Sequence, residues 1–389
     1  MLNKPLKTDP LSIIMKLPGE TCNINCLYCY EKRKPYPNAK YLDYTVVASL
    51  IKVMDGRPLS IELHGGEPLL LGQEKIRAIL VELRKYSGPV KISMQTNGIL
   101  LDESWIDFFE QEWPDIEIGI SLDGDPSANS YRVDYQNNPT YLKVEKTLNL
   151  LSKMNKKIGV ISVITKDSLT RANEILTYFK NFSCIKSLKF APCLDYNVKT
   201  KKHKSSERFI EYLNPEGKGR PGWATAPMEY ADFICEVFDI WEREKLFNNF
   251  VIEPVLSVIK KKLGIRTAFC HFSNMKCAHV LTLYPDGRIG SCDELSMPNS
   301  YLTHINELKD INDIIMLQTN QKLDEDLNNL LKKCQTCSYY QTCGGGCLAT
   351  RSRYAGTDFD DEYCDYRIKM IDHIGSSIER KAVKDHAHS

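Results

Sequence analysis

Short apolar runs rich in β-branched residues alternate with amphipathic segments through the first half of the chain. This alternation predicts strands followed by helices, and therefore an α/β fold whose parallel sheet has helices packed outside it. Six strand–helix units fit a partial, TIM-like (β/α)6 barrel better than a complete eight-fold barrel, which takes about 250 residues. In such barrels the chemistry is placed where the strands end. The predicted strands are Leu11–Leu17, Leu59–His64, Val90–Gln95, Ile116–Leu122, Ile158–Ile164 and Ile185–Ala191, and the predicted helices are Tyr44–Met54, Glu74–Lys85, Glu103–Glu110, Leu142–Met154 and Arg171–Phe179.

The chain changes in character after the sixth predicted strand. Met228–Lys245 and Glu253–Leu263 have helical patterns, and a cysteine-rich stretch follows them. A length of 389 residues suggests two or three domains. We predict a barrel over residues 1–225, a helical bridge over 226–265, a small cysteine-rich α+β domain over 266–375 and a flexible tail over 376–389.

Charge and composition argue against several classes of partner. The 51 basic and 50 acidic residues give a net charge of +1, which shows no sign of a nucleic-acid or membrane partner. No apolar run approaches the roughly 18 residues that span a bilayer. Fourteen cysteines without an export signal predict metal or redox centres in a reducing cytoplasm, more than disulfides.

A cysteine triplet follows the first predicted strand. Cys22, Cys26 and Cys29 have the spacing C-x3-C-x2-C, so one loop delivers three thiolates. A [4Fe–4S] cluster normally takes four protein ligands, so one iron is left open to a small molecule. Zinc sites usually use four ligands in separated pairs, and disulfides belong to small secreted domains. The triplet therefore predicts a cluster that acts as a reaction centre.

The triplet and its position resemble those of the radical S-adenosylmethionine (SAM) superfamily. The resemblance implies that the amino and carboxylate groups of SAM chelate the open iron. Reductive cleavage then yields a 5′-deoxyadenosyl radical that abstracts a hydrogen atom. Chemistry of this kind belongs to the cofactor, while the protein supplies position and shielding.

Residues at the ends of later strands resemble SAM contacts of the same family. Gly65, Gly66 and Glu67 follow the second strand, and the matching backbone and acid hold the SAM amino group. Paired glycines allow close approach of backbone to a ligand, although a strand-ending turn is the alternative. Ser121 and Arg132 resemble residues that contact the ribose and carboxylate of SAM, and there the alternative is an Asp-Gly turn.

Three further positions complete the predicted SAM site. Tyr28, inside the triplet, resembles the aromatic residue that packs on the adenine. Leu194, after the sixth predicted strand, resembles a further adenine contact. Asn97 or its neighbour Gln95, at the end of the third strand, could touch SAM or substrate, or belong to a plain turn.

A second cysteine-rich region occupies the C-terminal part of the chain. Eight cysteines are enough for two complete four-cysteine sites. Zinc sites of the ribbon type could use a similar set, and composition alone does not exclude them. The eight are Cys270, Cys277, Cys292, Cys334, Cys337, Cys343, Cys347 and Cys364.

The order and spacing of these cysteines resemble the SPASM domain that is attached to many radical SAM enzymes. The resemblance implies two auxiliary [4Fe–4S] clusters, and hence three [4Fe–4S] clusters in all. Electron transfer and structural roles fit the auxiliary pair, because both clusters are fully ligated. The resemblance assigns Cys270, Cys277, Cys292 and Cys347 to one auxiliary cluster, and Cys334, Cys337, Cys343 and Cys364 to the other.

Asp293 directly follows the cluster ligand Cys292. Relatives that oxidise peptide side chains have an aspartate here, proposed as the base that deprotonates the substrate. A general base needs to lie within hydrogen-bond reach of its proton. The side chain could instead be solvated or cap a turn, and Glu294 is a neighbour that could substitute for it.

Two subfamilies compete as the nearest resemblance. Anaerobic sulfatase-maturating enzymes oxidise Ser or Cys to formylglycine, and they resemble the chain over nearly its full length. Maturases of ribosomally made peptides form crosslinks, and His64-Gly-Gly-Glu-Pro-Leu-Leu70 and Cys292-Asp-Glu-Leu295 look more like that group. Sulfatase maturases favour Gln in place of His64, and an aromatic residue after the Cys-Asp pair. We therefore predict a two-electron crosslink in a precursor peptide, as a cyclophane C–C bond, with formylglycine formation as the alternative.

The predicted partners are a precursor peptide or protein substrate and a flavodoxin-like or ferredoxin-like electron donor. Only 21 residues precede Cys22, which leaves no room before it for the fused leader-binding domain of many peptide maturases. A leader is then expected to bind the barrel, the SPASM surface or a separate leader-binding protein. An iron–sulfur scaffold or electron carrier and a zinc-binding module are the other classes, and neither needs the SAM motifs.

Overall fold

The computed structural model describes residues 6, 8–29, 31, 41–193, 222–273, 276–295, 300–354 and 360–387. The chain divides into two compact units that interleave along the sequence. The boundaries predicted at residues 225, 265 and 375 stay predictions, and Leu194 lies outside the described residues. Unit 1 comprises Met1–Ser121, Tyr131–Ile158 and Met275–Asn329, and unit 2 comprises Leu122–Ser130, Gly159–Asn274 and Leu330–Ser389.

Strands and helices alternate through both units. No helix in the described part of the chain is both long enough and apolar enough to cross a membrane. The described strands are β1 (Leu11–Lys16), β2 (Leu59–His64), β3 (Val90–Thr96), β4 (Glu117–Ser121), β5 (Ile158–Ile164), β6 (Ile185–Pro192), β7 (Val251–Glu253), β8 (Val280–Leu283), β9 (Arg288–Gly290) and β10 (Tyr301–His304). The described α-helices are α1 (Tyr44–Val53), α2 (Gln73–Arg84), α3 (Glu103–Glu112), α4 (Tyr141–Lys153), α5 (Ala172–Lys180), α6 (Pro227–Arg243), α7 (Val255–Lys262), α8 (Asp313–Met316), α9 (Gln318–Leu330), α10 (Tyr340–Cys343), α11 (Leu348–Tyr354) and α12 (Asp360–Ala387).

The elements predicted for the first half of the chain are present. All six predicted strands form, and β2 and β5 have the predicted bounds. Helices α1 to α5 begin and end within two residues of their predicted limits. Strands β7 to β10 were not predicted, because runs of three or four residues carry too little alternation to be recognised. The predicted α/β class with a parallel sheet is confirmed.

The strands of unit 1 lie in the order β10-β9-β8-β1-β2-β3-β4. Strands β1 to β4 are parallel, β8 is parallel to β1, and β9 is antiparallel to both β8 and β10. The register pairs Lys16 with His64 at the carboxyl ends of β1 and β2. Because parallel strands end at one edge of the sheet, the loops that leave β1 to β4 start close together.

Burial along β1 follows the period of two that is typical of strands, with one exception. Leu11, Ile13 and Met15 are buried. Lys16 is next to Met15 and breaks the alternation, yet it is only 1% exposed. A charged side chain is almost never fully buried unless it is paired. Lys16 therefore marks the carboxyl end of β1 as a place where a polar site is built.

Unit 2 carries β5, β6 and β7 in that order, with β6 and β7 parallel. Its helices α6 and α12 are joined by polar contacts between their side chains. His373 Nε2 lies 2.7 Å from a carboxylate oxygen of Asp239, and the Ser377 hydroxyl donates to the Glu242 carboxylate at 3.0 Å. Helix α12 thus overlaps the segment from residue 376 that was predicted to be a flexible tail.

Candidate active site

The cysteine triplet lies in the loop that leaves β1. Backbone hydrogen bonds hold this loop in place, since Leu17 N–H donates to the His64 carbonyl at 2.8 Å and Leu27 N–H donates to the Tyr131 carbonyl at 3.0 Å. All fourteen cysteines belong to the described residues, and none of them forms a disulfide there. Within the triplet, Cys26 is buried, and Cys22 and Cys29 are half-buried.

The glycine pair after β2 lies against the triplet loop. Gly66 N–H donates to the Gly19 carbonyl at 2.9 Å, and Glu67 N–H donates to the Thr21 carbonyl at 3.0 Å. A Cβ added to Gly66 would lie 2.1 Å from the Thr21 carbonyl oxygen. Gly65 has a φ of +126°, a conformation that favours glycine. The close approach of two backbone segments therefore requires the pair.

The Glu67 carboxylate is fully buried and bonded within unit 1. It accepts hydrogen bonds from Leu69 N–H at 3.1 Å, from the Thr96 hydroxyl at 2.7 Å and from Asn97 N–H at 2.8 Å. Burial raises the pKa of this carboxyl above its ordinary value, against the opposing effect of the Asn97 N–H. A carboxylate accepts about four hydrogen bonds, so Glu67 has capacity for one further donor.

The side chain of Asn97 faces the triplet loop. Its Nδ2 donates to Asn23 Oδ1 at 2.7 Å and lies 3.8 Å from Cys22 Sγ. The Tyr135 hydroxyl donates to the Cys22 carbonyl at 3.1 Å. These contacts to the first cysteine of the triplet come from neutral amide and phenol groups.

Two further pairs link the remaining predicted SAM contacts. Arg132 Nη1 donates to the Tyr28 hydroxyl at 3.0 Å, and Arg132 is buried. Gln95 Nε2 donates to Ser121 Oγ at 2.8 Å. Seven of the eight predicted SAM contacts thus lie in unit 1 together with the triplet. The eighth, Leu194, lies outside the described residues.

Four side chains of unit 1 form a buried polar group, the Lys16 cluster, which consists of Lys16, Glu31, His64 and Asp293. Lys16 Nζ donates to Asp293 Oδ2 at 2.6 Å and to the Glu31 carboxylate, and it lies 3.2 Å from His64 Nδ1. The side chains of Lys16, Glu31 and Asp293 are 1%, 6% and 8% exposed. Glu31, His64 and Asp293 are also close enough together to hold a metal ion, but the Lys16 ammonium already contacts all three.

The charges of the Lys16 cluster shift the pKa values of the groups around it. Burial alone would lower the pKa of the Lys16 ammonium, but Asp293 and Glu31 hold it above its ordinary value. Burial and the Lys16 charge lower the pKa of His64, which keeps the imidazole neutral at pH 7. Burial, with Asp293 and Glu31, raises the pKa of the nearby Tyr284 phenol to about 12.

Lys16 and Glu31 were not predicted from the sequence, whereas Asp293 was. Lys16 carries a usable signal, because it is a charged residue in the last position of an apolar strand. Chemistry is expected at that end of a parallel strand. Glu31 follows Cys29 by two residues and carries no comparable signal of periodicity or motif.

The eight C-terminal cysteines are divided between the two units. Cys277 and Cys292 belong to unit 1, and the other six belong to unit 2. All four cysteines assigned to the second auxiliary cluster are therefore in unit 2. The set assigned to the first, Cys270, Cys277, Cys292 and Cys347, has members in both units and stays a prediction.

Within unit 2, three of the four cysteines assigned to the second auxiliary cluster influence one another. Burial raises the pKa of the Cys364 thiol, and Cys343 and Cys334 act in the same direction. Cys334 is buried, while Cys337 is exposed. Cys334 and Cys343 therefore lie close enough to Cys364 to influence the pKa of its thiol.

Residues 17–177 match the model of the radical SAM superfamily. This stretch includes the cysteine triplet, the glycine pair after β2 and the pair formed by Tyr28 and Arg132. Over these residues the chain therefore has a radical SAM domain, which indicates an enzyme with oxidative chemistry. SAM and the iron–sulfur cluster of that domain are its cofactors. The number of auxiliary clusters and the role of each residue stay predictions.

Curated relatives identify a more particular similarity. The chain is 27% identical over 369 residues to the cysteine-type anaerobic sulfatase-maturating enzyme of Clostridium perfringens (strain 13 / Type A), covering 91% of this chain and 93% of the relative. It is 24% identical over 354 residues to the serine-type anaerobic sulfatase-maturating enzyme of Bacteroides thetaiotaomicron, covering 88% of this chain and 83% of the relative. The predicted cyclophane crosslinking is therefore wrong. That prediction rested on short motifs at His64 and Cys292, whereas this similarity runs along the whole chain.

A solved structure agrees with the predicted fold. Native anSMEcpe with bound AdoMet and Cp18Cys peptide has a TM-score of 0.77 and 24% identity to this chain. The match covers 97% of this chain and 100% of that one. The α/β fold predicted from the strand–helix alternation is thereby confirmed.

Proposed function

We propose that the protein is an anaerobic maturase that oxidises a cysteine or serine side chain of a protein substrate, such as a sulfatase, to formylglycine. The observation that carries the proposal is the similarity along 91% of the chain to an enzyme of that name. The Lys16 cluster supports the proposal, because it holds the Asp293 carboxylate in the same unit as the cysteine triplet.

The residues of unit 1 supply the proposed SAM site. Three protein donors use three of the roughly four acceptor positions of the Glu67 carboxylate. The remaining position accepts a hydrogen bond from the amino group of SAM. The ring of Tyr28 packs on the adenine, and Arg132 binds the carboxylate as a fork. When bound, SAM on the reduced cluster supplies the radical that takes a hydrogen atom from the substrate Cβ. The remaining proposed ligands and contacts are Cys22, Cys26, Cys29, Gly65, Gly66, Asn97, Ser121 and Leu194.

Asp293 is the proposed base. After the hydrogen atom leaves Cβ, the side chain must still lose one proton and one electron to reach the oxidation level of an aldehyde. Asp293 takes the proton from the substrate thiol or hydroxyl. An auxiliary cluster, if held by the cysteine sets assigned above, would supply the acceptor for the electron. A serine then becomes the aldehyde directly, whereas a cysteine becomes a thioaldehyde that water hydrolyses with release of hydrogen sulfide. Lys16 fixes the position of Asp293 through its contact with Oδ2.

The proposal includes two auxiliary [4Fe–4S] clusters with the cysteine sets assigned above. A flavodoxin-like or ferredoxin-like protein is the proposed donor of the electron that reduces the SAM cluster. The cytoplasmic location also stays a prediction, which rests on the cysteine count. A separate leader-binding protein is expected only for a ribosomally made precursor peptide, and the present proposal does not require one.

Three peptides that differ at one position test the proposal. They share a sequence from a sulfatase active site and carry Cys, Ser or Ala at the residue to be oxidised. The reconstituted protein is incubated anaerobically with each peptide, SAM and dithionite, and a hydrazine reagent labels carbonyl products for mass spectrometry. We expect an aldehyde from the Cys or the Ser peptide and none from the Ala peptide. Formation of 5′-deoxyadenosine without aldehyde from any peptide would contradict the proposal.

A further inference from the structure

Two buried arginines of unit 2 donate hydrogen bonds to cysteine sulfurs. Arg351, on α11, places Nη1 at 2.9 Å from Cys334 Sγ. Arg367, on α12, places Nε at 3.0 Å from Cys343 Sγ. Both arginines are 2% exposed. Two guanidinium groups from different helices thus meet two different members of one predicted ligand set.

Arg367 is held rigidly in its position. Its Nη2 donates to the carbonyls of Cys343 and His271, both at 3.0 Å. Its Cζ lies 4.3 Å from the centre of the Phe272 ring, at a distance typical of a cation–π contact. Neither Arg367 nor Arg351 forms an ion pair with a carboxylate anywhere in the described part of the chain. Among the described residues, the cysteine sulfurs are therefore the groups that can balance the two buried charges.

This arrangement fits a site whose sulfurs are thiolates. A buried guanidinium without an anionic partner is strongly unfavourable. A neutral thiol is a weak acceptor, whereas a thiolate carries the charge that a guanidinium requires. An iron–sulfur cluster on Cys334, Cys337, Cys343 and Cys364 supplies such thiolates.

We infer that Arg351 and Arg367 are positioning residues that raise the reduction potential of the auxiliary cluster held by Cys334, Cys337, Cys343 and Cys364. Adding one electron makes the cluster more negative by one charge. Two buried cations that donate to its ligand sulfurs stabilise this reduced state more than the oxidised state. The cluster is thereby made a better acceptor for the electron that the substrate gives up, and in this the inference rests on the proposed function.

The inference is tested by potentiometric titration with dithionite, followed by electron paramagnetic resonance, in protein whose triplet cysteines are replaced by Ala. The two auxiliary clusters then give the only expected signals, and each serves as the reference for the other. We expect Arg351→Gln and Arg367→Gln each to lower the equilibrium constant for reduction of one cluster by about tenfold. For one electron this corresponds to a reduction potential lower by about 59 mV. The other cluster should keep its potential.

Further variants separate charge from packing. Arg351→Lys and Arg367→Lys keep the charge but lose the fork, so their potentials should fall between those of the wild type and the Gln variants. Arg171→Gln is the matched control, because Arg171 pairs with the Asp125 carboxylate in the same unit. It should leave both potentials unchanged.

Three results would overturn the inference. The first is unchanged potentials in Gln and Lys variants that retain full iron. The second is loss of the cluster's iron from both kinds of variant, which would leave the arginines a role in assembly alone. The third is zinc at these four cysteines, seen as one missing paramagnetic signal in the parent protein. None of these measurements uses a peptide, so failure of the formylglycine proposal would be seen separately, in the aldehyde assay.

Discussion

The Lys16 cluster in unit 1 and the two arginines in unit 2 differ in the kind of anion that balances a buried positive charge. Lys16 bonds Glu31 and Asp293, which are carboxylates whether or not a cofactor is present. Arg351 and Arg367 bond cysteine sulfurs, which carry a charge only as thiolates. The polypeptide alone therefore balances the charge of Lys16. The charges of Arg351 and Arg367 are balanced when the cysteines are thiolates that hold a cluster.

Replacing the cysteine triplet is expected to give the largest difference between the two regions. Replacing Cys22, Cys26 and Cys29 together by Ala should abolish SAM cleavage, because the open iron is lost with its ligands. The iron held by the C-terminal cysteines should remain. Chromatography of 5′-deoxyadenosine and an iron assay on the same sample measure both effects. Retained SAM cleavage would refute the assignment of the triplet.

Removal of the Lys16 charge tests whether the Lys16 cluster is complete without a cofactor. Lys16→Met leaves two buried carboxylates without their cation, and we expect a loss of about 3–5 kcal/mol in the free energy of unfolding. The loss, measured by urea unfolding, should be the same in iron-free and iron-loaded protein. Lys156→Met is the control, because Lys156 pairs with Glu110 and both side chains are exposed, so its loss should cost less than about 1 kcal/mol. An equal loss from both variants would contradict the account.

A substitution of Asp293 tests the chemical role of the Lys16 cluster separately from its contribution to stability. Asp293→Asn should lower aldehyde formation by at least about a hundredfold while SAM cleavage continues, because general bases contribute this much or more. Glu294→Gln, a change at the neighbouring carboxylate, should leave product formation near normal. Normal aldehyde yield from Asp293→Asn, measured by mass spectrometry, would remove Asp293 as the base.

The smallest expected effect concerns the backbone next to the triplet loop. Gly66→Ala forces a Cβ against the Thr21 carbonyl, and we expect a loss of about 1–3 kcal/mol in the free energy of unfolding. Gly222→Ala is the matched control, because an added Cβ there meets no atom of the described residues within 4 Å. Equal urea midpoints for the two variants would show that the loop moves aside at little cost.

The sequence predicts the radical SAM domain well, because its signals are local. Strands β1 to β6 and helices α1 to α5 follow from periodicity, and the triplet follows from spacing within eight positions. The Lys16 cluster is different, since Lys16 meets partners 15 and 277 positions away in the chain. The register of β1 with β2 places Lys16 beside His64, while Glu31 and Asp293 reach Lys16 from outside the strands, and no pattern along the sequence encodes either arrangement.

The error about the reaction has a related cause. The motifs at His64 and Cys292 are short and favour a crosslinking reaction, whereas the similarity to sulfatase-maturating enzymes is spread thinly over the chain. His64 belongs to the Lys16 cluster, where Lys16 Nζ lies 3.2 Å from its Nδ1. A residue at that position therefore has a structural partner within the protein, and its identity is a poor guide to the bond that the enzyme makes.

The proposed reaction converts a cysteine or serine side chain to an aldehyde. It is tested most directly by the amount of aldehyde formed per 5′-deoxyadenosine with the Cys and Ser peptides, both measured in one anaerobic reaction. We expect equal amounts with at least one of the two peptides, because each hydrogen atom abstracted leads to one aldehyde. A product that keeps the side-chain heteroatom in a new bond to another residue would contradict it.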